Sequence, residues 1–235
     1  QPTATMTLSP VTSLSSPFDK LYIKGRAKVD ANFSDGEGKY GAEITSYSLS
    51  VGGKSYGTPY TSDYLATTGS ITVKGTVTDS RGYSRTYTQT ITVIDYSSPT
   101  ILPASDEKGI ICARCDKDGN LSESGTYLKI KAKRSYSKVM TGTTQNNFCS
   151  IRYRWREESS NTFSSWETIL GKTTLASDTA NTSPLEGVVS STSTAYVVQV
   201  GVADDVGKTD VVQFIIPTAF VTIDIPEKHK GRRIG

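Results

Sequence analysis

The sequence predicts an all-β protein with two sandwich domains in tandem, and three observations support this fold class. Apolar and polar residues alternate with a period of two in many segments, which is typical of strands with one buried face. Turn residues separate these segments every 8 to 12 positions or so. The length of 235 residues also matches two domains of about 100 residues each, as in immunoglobulin-like or fibronectin-III-like β-sandwiches.

Alternation defines the strands of the first half. In residues 21–33, Ile23, Val29 and Ala31 share one parity, and charged residues occupy the other. Strands are predicted at 21–33, 42–51, 54–56, 71–77 and 83–94. Turns are predicted at 35–38, at Gly52-Gly53 and at 79–82, because glycine next to acidic or other turn-forming residues favours tight turns. The last two strands therefore form a long hairpin.

The second half follows the same logic. Strands are predicted at 109–115, 126–133, 148–156, 166–170, 195–204 and 209–216. In 148–156, the residues predicted on the inner face are Cys149, Ile151, Tyr153 and Trp155, opposite Arg152, Arg154 and Arg156. Each half ends on a strand, an acidic turn with glycine, and a strand, which indicates an internal repeat.

The Ser and Pro residues at 97–99, directly after a strand, mark a domain boundary. We therefore predict one sandwich over residues 1–97, a second over 98–218, and an exit segment over 219–235 that leads toward an absent region. Because the chain begins without Met and ends abruptly at Gly235, we expect it to be a segment of a longer protein.

Charge and hydropathy argue against two classes of partner. The 26 basic and 23 acidic residues leave a net charge of +3, which is too mild for a nucleic-acid surface. The basic tail at 228–233 is interpreted as a solvated linker. No apolar run of about 18 residues exists, and no signal peptide precedes the first strand, so we expect no membrane insertion.

The sequence offers no catalytic set. Its single histidine, His229, lies in the tail, which removes most Ser-His and Cys-His mechanisms. The carboxylates are scattered through turns, and no Gly-rich phosphate loop joins a strand to a helix. We expect the protein not to be an enzyme and to need no cofactor.

Three cysteines raise the question of a metal. Cys112 and Cys115 have the C-x-x-C spacing, but zinc takes four ligands and only Cys149 and His229 remain. We predict no metal site, and we interpret the cysteines as small buried residues with one exposed thiol. A disulfide from Cys149 to either of the other two is the alternative.

Residues 116–120 resemble the start of a calcium loop. An EF-hand would need a carboxylate at its twelfth position, where Tyr127 stands. Asp118-Gly119 is also a strong turn signal. A hairpin turn is therefore the favoured interpretation.

Four aromatic residues are candidates for ligand binding. Tyr56, Tyr60 and Tyr64 lie in a loop with few apolar neighbours, and Tyr-rich loops on a rigid sandwich make contact area at low entropic cost. Trp166 is the fourth candidate, whereas Trp155 is predicted in the core. The alternative for the three tyrosines is packing over the edge of the sandwich.

Short motifs in order resemble one family. They are Val77-Thr78-Asp79-Ser80-Arg81-Gly82, Thr90-Ile91-Thr92-Val93, Tyr96-Ser97-Ser98-Pro99, Arg114-Cys115-Asp116, Gly125-Thr126-Tyr127-Leu128 and Pro217-Thr218-Ala219-Phe220-Val221. Together they resemble the Ig-like modules of a minor structural or tail-fibre family from siphoviruses, the long-tailed phages of Gram-positive bacteria. The exit departs from the family, because charged residues at 227–230 stand where it is apolar and glycine-rich.

The resemblance implies a non-enzymatic tail-fibre or tail-tip segment that acts as a spacer or support for host-receptor binding. Its partners would be other tail proteins, and its location the virion, after assembly in the host cytoplasm. A homotrimer is expected by analogy with tail fibres alone. Two alternatives stay open: a module that binds a host cell-wall polysaccharide, and the stalk of a bacterial surface adhesin.

Overall fold

The computed structural model describes residues 1–219, and these residues form an all-β fold, which confirms the predicted fold class. Their helical structure is limited to one short 3-10 turn at Phe18–Lys20. Each sheet is built from strands on one side of residues 97–99 only. The exact bounds at 97 and 98 stay a prediction. The rest of the exit segment, the basic tail and His229 lie outside the described residues.

The first sandwich has six strands. They are β1 (Thr3–Val11), β2 (Lys28–Glu37), β3 (Ile44–Val51), β4 (Lys54–Tyr56), β5 (Gly69–Asp79) and β6 (Ser84–Val93). Strands β1 and β2 pair as one antiparallel sheet, and the order β4-β3-β5-β6 forms the other. Val29, Leu49 and Val73 are fully buried in one apolar core with residues from both sheets, so alternation marks the inner faces correctly here.

Two predictions for this half are wrong in part. The strand predicted at 21–33 begins only at Lys28, because a turn with Gly25 at φ +68° interrupts the alternation. The turn predicted at 35–38 lies mostly inside β2. Strand β1, which the sequence analysis did not predict, pairs with this segment up to Thr3 opposite Glu37 and keeps it extended.

The hairpins of the first sandwich are as predicted. Gly52 and Gly53 both have positive φ and join β3 to β4. Strands β5 and β6 form the long hairpin, with Gly69 opposite Val93 at its far end. Glycine is suited to such turns because it reaches positive φ without a Cβ clash.

Up to residue 219, the second sandwich has ten strands. They are β7 (Thr100–Leu102), β8 (Ile111–Cys115), β9 (Tyr127–Ser135), β10 (Met140–Thr141), β11 (Thr144–Gln145), β12 (Cys149–Glu157), β13 (Glu167–Leu170), β14 (Ser177–Asn181), β15 (Tyr196–Asp204) and β16 (Thr209–Ile216). One sheet has the order β14-β9-β7, with β8 also on β9, and a second has the order β13-β12-β15-β16. Strands β10 and β11 pair with each other as a separate two-stranded hairpin. Strands β7, β10, β11 and β14 were not predicted.

The inner face of β12 agrees with the sequence pattern at three of four positions. Cys149, Ile151 and Tyr153 are buried in the core of the second sandwich. Trp155 is only half-buried and meets the ring of Tyr196 edge to face, with centroids 5.9 Å apart. It lies near the end of the strand, where the core gives way to solvent.

Three hairpin turns use a carboxylate in the same way. Asp79 accepts hydrogen bonds from the backbone N–H groups of Arg81 and Tyr83, both at 3.0 Å. Equivalent bonds run to Asp116 from the amides of Asp118 and Asn120, and to Asp204 from the amide of Lys208. A glycine with φ from +81° to +85° completes each turn: Gly82, Gly119 and Gly207. Residues 116–120 thus form the predicted turn, and hydrogen bonds from Asn120 lower the pKa of Asp116.

All three cysteines are free and buried, so the expected exposed thiol is wrong. Cys112 faces the core, whereas the segment after the turn at 116–120 folds back over Cys115. Gly125 packs so closely on the backbone of Cys115 that a Cβ would lie 2.1 Å from its carbonyl oxygen. Within residues 1–219, no three potential ligand residues gather into a metal site. The described part of the chain also contains no helix that could span a membrane.

The buried thiols should be unreactive in the folded protein. Burial raises the pKa of Cys112 to about 12 and that of Cys149 to about 11, so both are protonated at neutral pH. The folded pKa values exceed the unfolded value of about 8.5, so the folded chain holds the thiol protons more tightly than the unfolded chain does. The stability that results from this difference is fully present below a pH of about 8.5. It is lost as pH rises toward 11 to 12.

We expect a thiol reagent at pH 8 to label the chain only after denaturation, and the melting temperature to fall as pH rises above about 9. Rapid labelling of any cysteine in the native chain would contradict this prediction.

Candidate functional site

The two sandwiches share a small apolar core, which we call the junction. Phe18, Ile23 and Tyr96 from the first side pack with Val139 and Val206 from the second. All five are at least 94% buried. Leu14, Leu21 and Ile94 flank this cluster. The sandwiches are therefore joined by side-chain packing as well as by the covalent linker.

A hydrogen-bond network lies beside the apolar cluster. The Tyr96 hydroxyl donates to Asp204 Oδ2 at 2.9 Å, and Asn147 Nδ2 donates to the same oxygen at 3.1 Å. Asn147 Oδ1 accepts from the backbone N–H groups of Asp205 and Val206. Burial and the neighbouring carboxylate raise the pKa of the Tyr96 hydroxyl, so it remains a donor. The network links the linker of the first sandwich to a hairpin turn of the second.

Two weaker contacts hold the linker itself. The backbone N–H of Ser97 donates to Ser137 Oγ at 2.9 Å. Lys24 Nζ lies 3.1 Å from Asp95 Oδ1, but both side chains are exposed to solvent. Such surface ion pairs contribute little, so the buried cluster and network carry most of the junction.

The tyrosine loop divides into packed and exposed rings. Tyr60 meets Phe33 edge to face at 5.2 Å and Tyr47 at 6.1 Å, and those two rings stack at 4.8 Å. Tyr56 is also half-buried against the core of the first sandwich. Both contacts favour the edge-packing alternative for these two residues.

Tyr64 is different, since 57% of its surface is exposed. It borders a groove of about 250 Å³ that Tyr56, Lys54 and Asp63 also line. Lys54 donates to Asp63 at 2.5 Å, which lowers the pKa of Asp63. Lys28 Nζ lies 4.9 Å from the Tyr64 ring centroid. An aromatic wall beside polar groups is suited to a polyhydroxylated ligand.

Trp166 lies on the outer face of the second sandwich, away from the tyrosine loop. The guanidinium groups of Arg152 and Arg154 cover its ring at 4.4 and 4.6 Å. Phe163 lies near Arg154 and Arg156 at 4.6 and 5.2 Å. Stacking of this kind stabilises the outer face and occupies ring surface that a sugar would need. The binding role of Trp166 stays a prediction.

The junction leaves almost no pattern in the sequence. Its polar members, Tyr96, Asn147 and Asp204, stand in segments interpreted as a linker, a connection and a strand end. One signal was present: Val206 is an apolar residue in the middle of an acidic turn. Single apolar residues are common on protein surfaces, so this signal alone does not predict an interface.

Comparisons with known proteins give one family and several solved structures. The profile of the family described as "Siphovirus protein of unknown function (DUF859)" matches residues 7–232. No curated protein matches the chain. Among the similar solved structures are the fibronectin(III)-like modules of Clostridium thermocellum CbhA, with 16% identity over 91% of this chain and 95% of that chain and a TM-score of 0.30. Chicken CNTN1 domains FN1–FN3 match with 13% identity over 83% of this chain and 64% of that chain and a TM-score of 0.28. Protocadherin gamma B7 extracellular cadherin domains 1–4 match with 16% identity over 89% of this chain and 49% of that chain and a TM-score of 0.26.

The junction network can be tested with Tyr96→Phe. This change removes the hydroxyl and leaves Asp204 Oδ2 with one donor fewer in a buried position. We expect the free energy of unfolding of the chain to fall by about 1 to 2 kcal/mol in urea. The control is Tyr64→Phe, whose hydroxyl makes no hydrogen bond to the described residues and should leave stability unchanged. Equal stability of Tyr96→Phe and the natural chain would contradict a role for this bond.

Proposed function

The chain belongs to this family of siphovirus proteins of unknown function, and from that premise we propose that it is a spacer segment of a phage tail fibre or tail tip. The observation that carries the proposal is the junction, with its apolar cluster and the hydrogen bond from Tyr96 to Asp204. A spacer has to keep the parts on either side of it in a set relation.

The junction supports this role because it opposes bending between the sandwiches. Tandem domains joined by a small polar interface move relative to each other by default. Here Val206 is 4% exposed and lies against Phe18 and Tyr96. Bending would expose these side chains to water and separate Tyr96 from Asp204, so one orientation is favoured.

The proposed role is non-enzymatic and needs no cofactor. Its partners are other tail proteins, and its place of action is the virion at the host surface. The chain contributes extension and support, while recognition of the host receptor belongs to a part of the tail that the spacer positions.

Location in the virion can be tested by electron microscopy. Antibodies raised against the chain should label the tail tip or fibres of the siphovirus that encodes it, in immunogold images of intact particles. Antibodies raised against an unrelated sandwich protein are the control. The proposal fails if the particles carry no label on the tail while the same antibodies detect the purified chain.

A second candidate function is binding of a cell-wall polysaccharide, and the groove beside Tyr64 favours it. Tyr64 is exposed next to Tyr56 and the Lys54–Asp63 pair. A sugar ring can pack on a tyrosine face while its hydroxyls bond to the charged groups. In this case the sandwich would be an adhesive part of the tail.

The two candidate functions can be distinguished by measuring how much fluorescently labelled chain is retained on purified wall polysaccharides of Gram-positive strains. If the groove binds glycan, Tyr64→Ala should reduce retention at least tenfold without changing the melting temperature. Tyr83→Ala is the matched control, since Tyr83 is 59% exposed but lies outside the groove. If the natural chain is not retained on any polysaccharide, the second candidate is excluded. If both variants are retained equally, the binding site is not this groove.

A further inference from the structure

The closing hairpins of the two sandwiches have equivalent turns, which we call the first turn (residues 79–82) and the second turn (residues 204–207). In both, the second residue of the turn exchanges hydrogen bonds with the residue that precedes β3 or β12. These bonds are Ser80 N–H to Glu43 O at 2.8 Å, Glu43 N–H to Ser80 Oγ at 3.3 Å, Asp205 N–H to Phe148 O at 3.0 Å, and Phe148 N–H to Asp205 Oδ2 at 3.2 Å. The two turns therefore occupy the same place in their sandwiches.

The second turn is docked against the first sandwich. Its Asp204 Oδ2 accepts the hydroxyl hydrogen of Tyr96 at 2.9 Å. Its Val206 lies in the apolar cluster with Phe18 and Ile23. The surface that receives it is the end of the first sandwich at which β6 leaves for the linker, which we call the trailing end.

The first turn has the same carboxylate without the same partner. Asp79 is 1% exposed, and its Oδ2 has no hydrogen-bond partner among residues 1–219. The Arg81 guanidinium forms an ion pair with this oxygen at 3.6 Å, which is too long for a hydrogen bond, and it donates a hydrogen bond to the carbonyl of Lys39. An unsatisfied buried carboxylate oxygen is costly, and Asp204 shows how an equivalent oxygen is satisfied.

Exposed aromatic rings surround the first turn. Tyr40 is 94% exposed and Tyr83 is 59% exposed. The Arg81 guanidinium lies between them, 5.9 and 5.7 Å from the two ring centroids. Tyrosine and arginine are the side chains that protein interfaces favour, so this surface has the composition of a contact that the described residues leave uncovered.

The first strands of the two sandwiches also begin alike. Pro99-Thr100 leads from the linker into β7, and Pro2-Thr3 leads into β1. Both prolines are buried, and both threonines are the first residue of their strand. The Pro-Thr dipeptide at the start of the first sandwich thus repeats the one that follows the junction.

We propose that the first turn, with Tyr40, Arg81 and Tyr83, is a docking surface for the trailing end of another sandwich of this type. The partner supplies a tyrosine hydroxyl to Asp79 Oδ2, as Tyr96 does to Asp204. It also presents a carboxylate to Arg81, which stands where the second turn has Val206. The trailing end of the first sandwich carries such a group, because Asp19 Oδ1 is buried and has no hydrogen-bond partner among residues 1–219.

The inference goes beyond the spacer role, since it makes the junction a repeated contact between successive sandwiches. It stands on the geometry of the turns and does not depend on where the protein is located. If antibodies failed to label a tail, the docking surface would still be testable on the purified chain.

The test uses a polypeptide in which residues 1–97 are joined ahead of the full 235-residue chain. If the proposal holds, the trailing end of the added copy docks against the first turn. Tyr96→Phe in the added copy and Asp79→Asn in the full chain are compared singly and together by urea unfolding. Asparagine keeps an acceptor for the turn amides but loses the second acceptor oxygen. The same cycle with Tyr96 and Asp204 in the natural chain is the positive control.

We expect Tyr96→Phe in the added copy to raise the equilibrium constant for unfolding several-fold when Asp79 is present and to have no effect in the chain that carries Asp79→Asn. Independent effects of the two changes would overturn the proposal.

If Asp79→Asn unfolds the first sandwich, NMR decides instead. The amide signals of Arg81, Tyr83 and Tyr40 should shift between the natural chain and the three-sandwich chain. Unchanged signals at these positions, with a folded added copy, would equally overturn the proposal.

Discussion

The arrangement of the two sandwiches depends on the carboxylate of Asp204. One of its oxygens closes the hairpin to Lys208, and the other receives Tyr96 and Asn147. A buried carboxylate needs hydrogen-bond donors around it, because each missing donor lowers the stability of the folded state. Orientations of the sandwiches that keep it buried but remove the tyrosine are therefore disfavoured. The apolar residues around it supply attraction, while the network selects the orientation.

The opposite end of the second sandwich is fixed by a different polar side chain. Arg114 is 5% exposed, and its guanidinium donates to five backbone carbonyls, those of Gly125, Val189, Ser191, Thr194 and Pro217. These carbonyls come from loops that strand pairing does not hold together. At the junction, the side chains of Asn147 and Asp204 order the irregular backbone, and at the opposite end the guanidinium of Arg114 does so. Fixed ends are what a sandwich needs to pass on orientation along a chain.

The sequence pattern predicts what is local and fails where a distant partner decides. Period-two alternation identifies β12 and its outward arginines, and an acid followed by glycine identifies the hairpin turns. Strand β1 escapes prediction because its Thr- and Ser-rich sequence is held extended by pairing with β2, between 17 and 34 residues further along the chain. The partner of Tyr96 lies 108 residues away, so nothing in its neighbourhood signals the junction. Arg134 occupies an inner-face position of β9, but periodicity does not reveal that it meets Cys149, Gly171 and Thr173.

The aromatic candidates illustrate why residue type alone does not define a binding site. Tyrosine has an apolar ring and a polar tip, and both a core edge and a ligand surface use that combination. Tyr60 has its ring against Phe33 and Tyr47, and Trp166 has two guanidinium groups over its ring. Removing either ring would disturb packing as well as any ligand contact, so a loss of binding in such a variant would have two explanations. Tyr64 borders a groove and is largely exposed. It is therefore the candidate at which binding can be separated from folding.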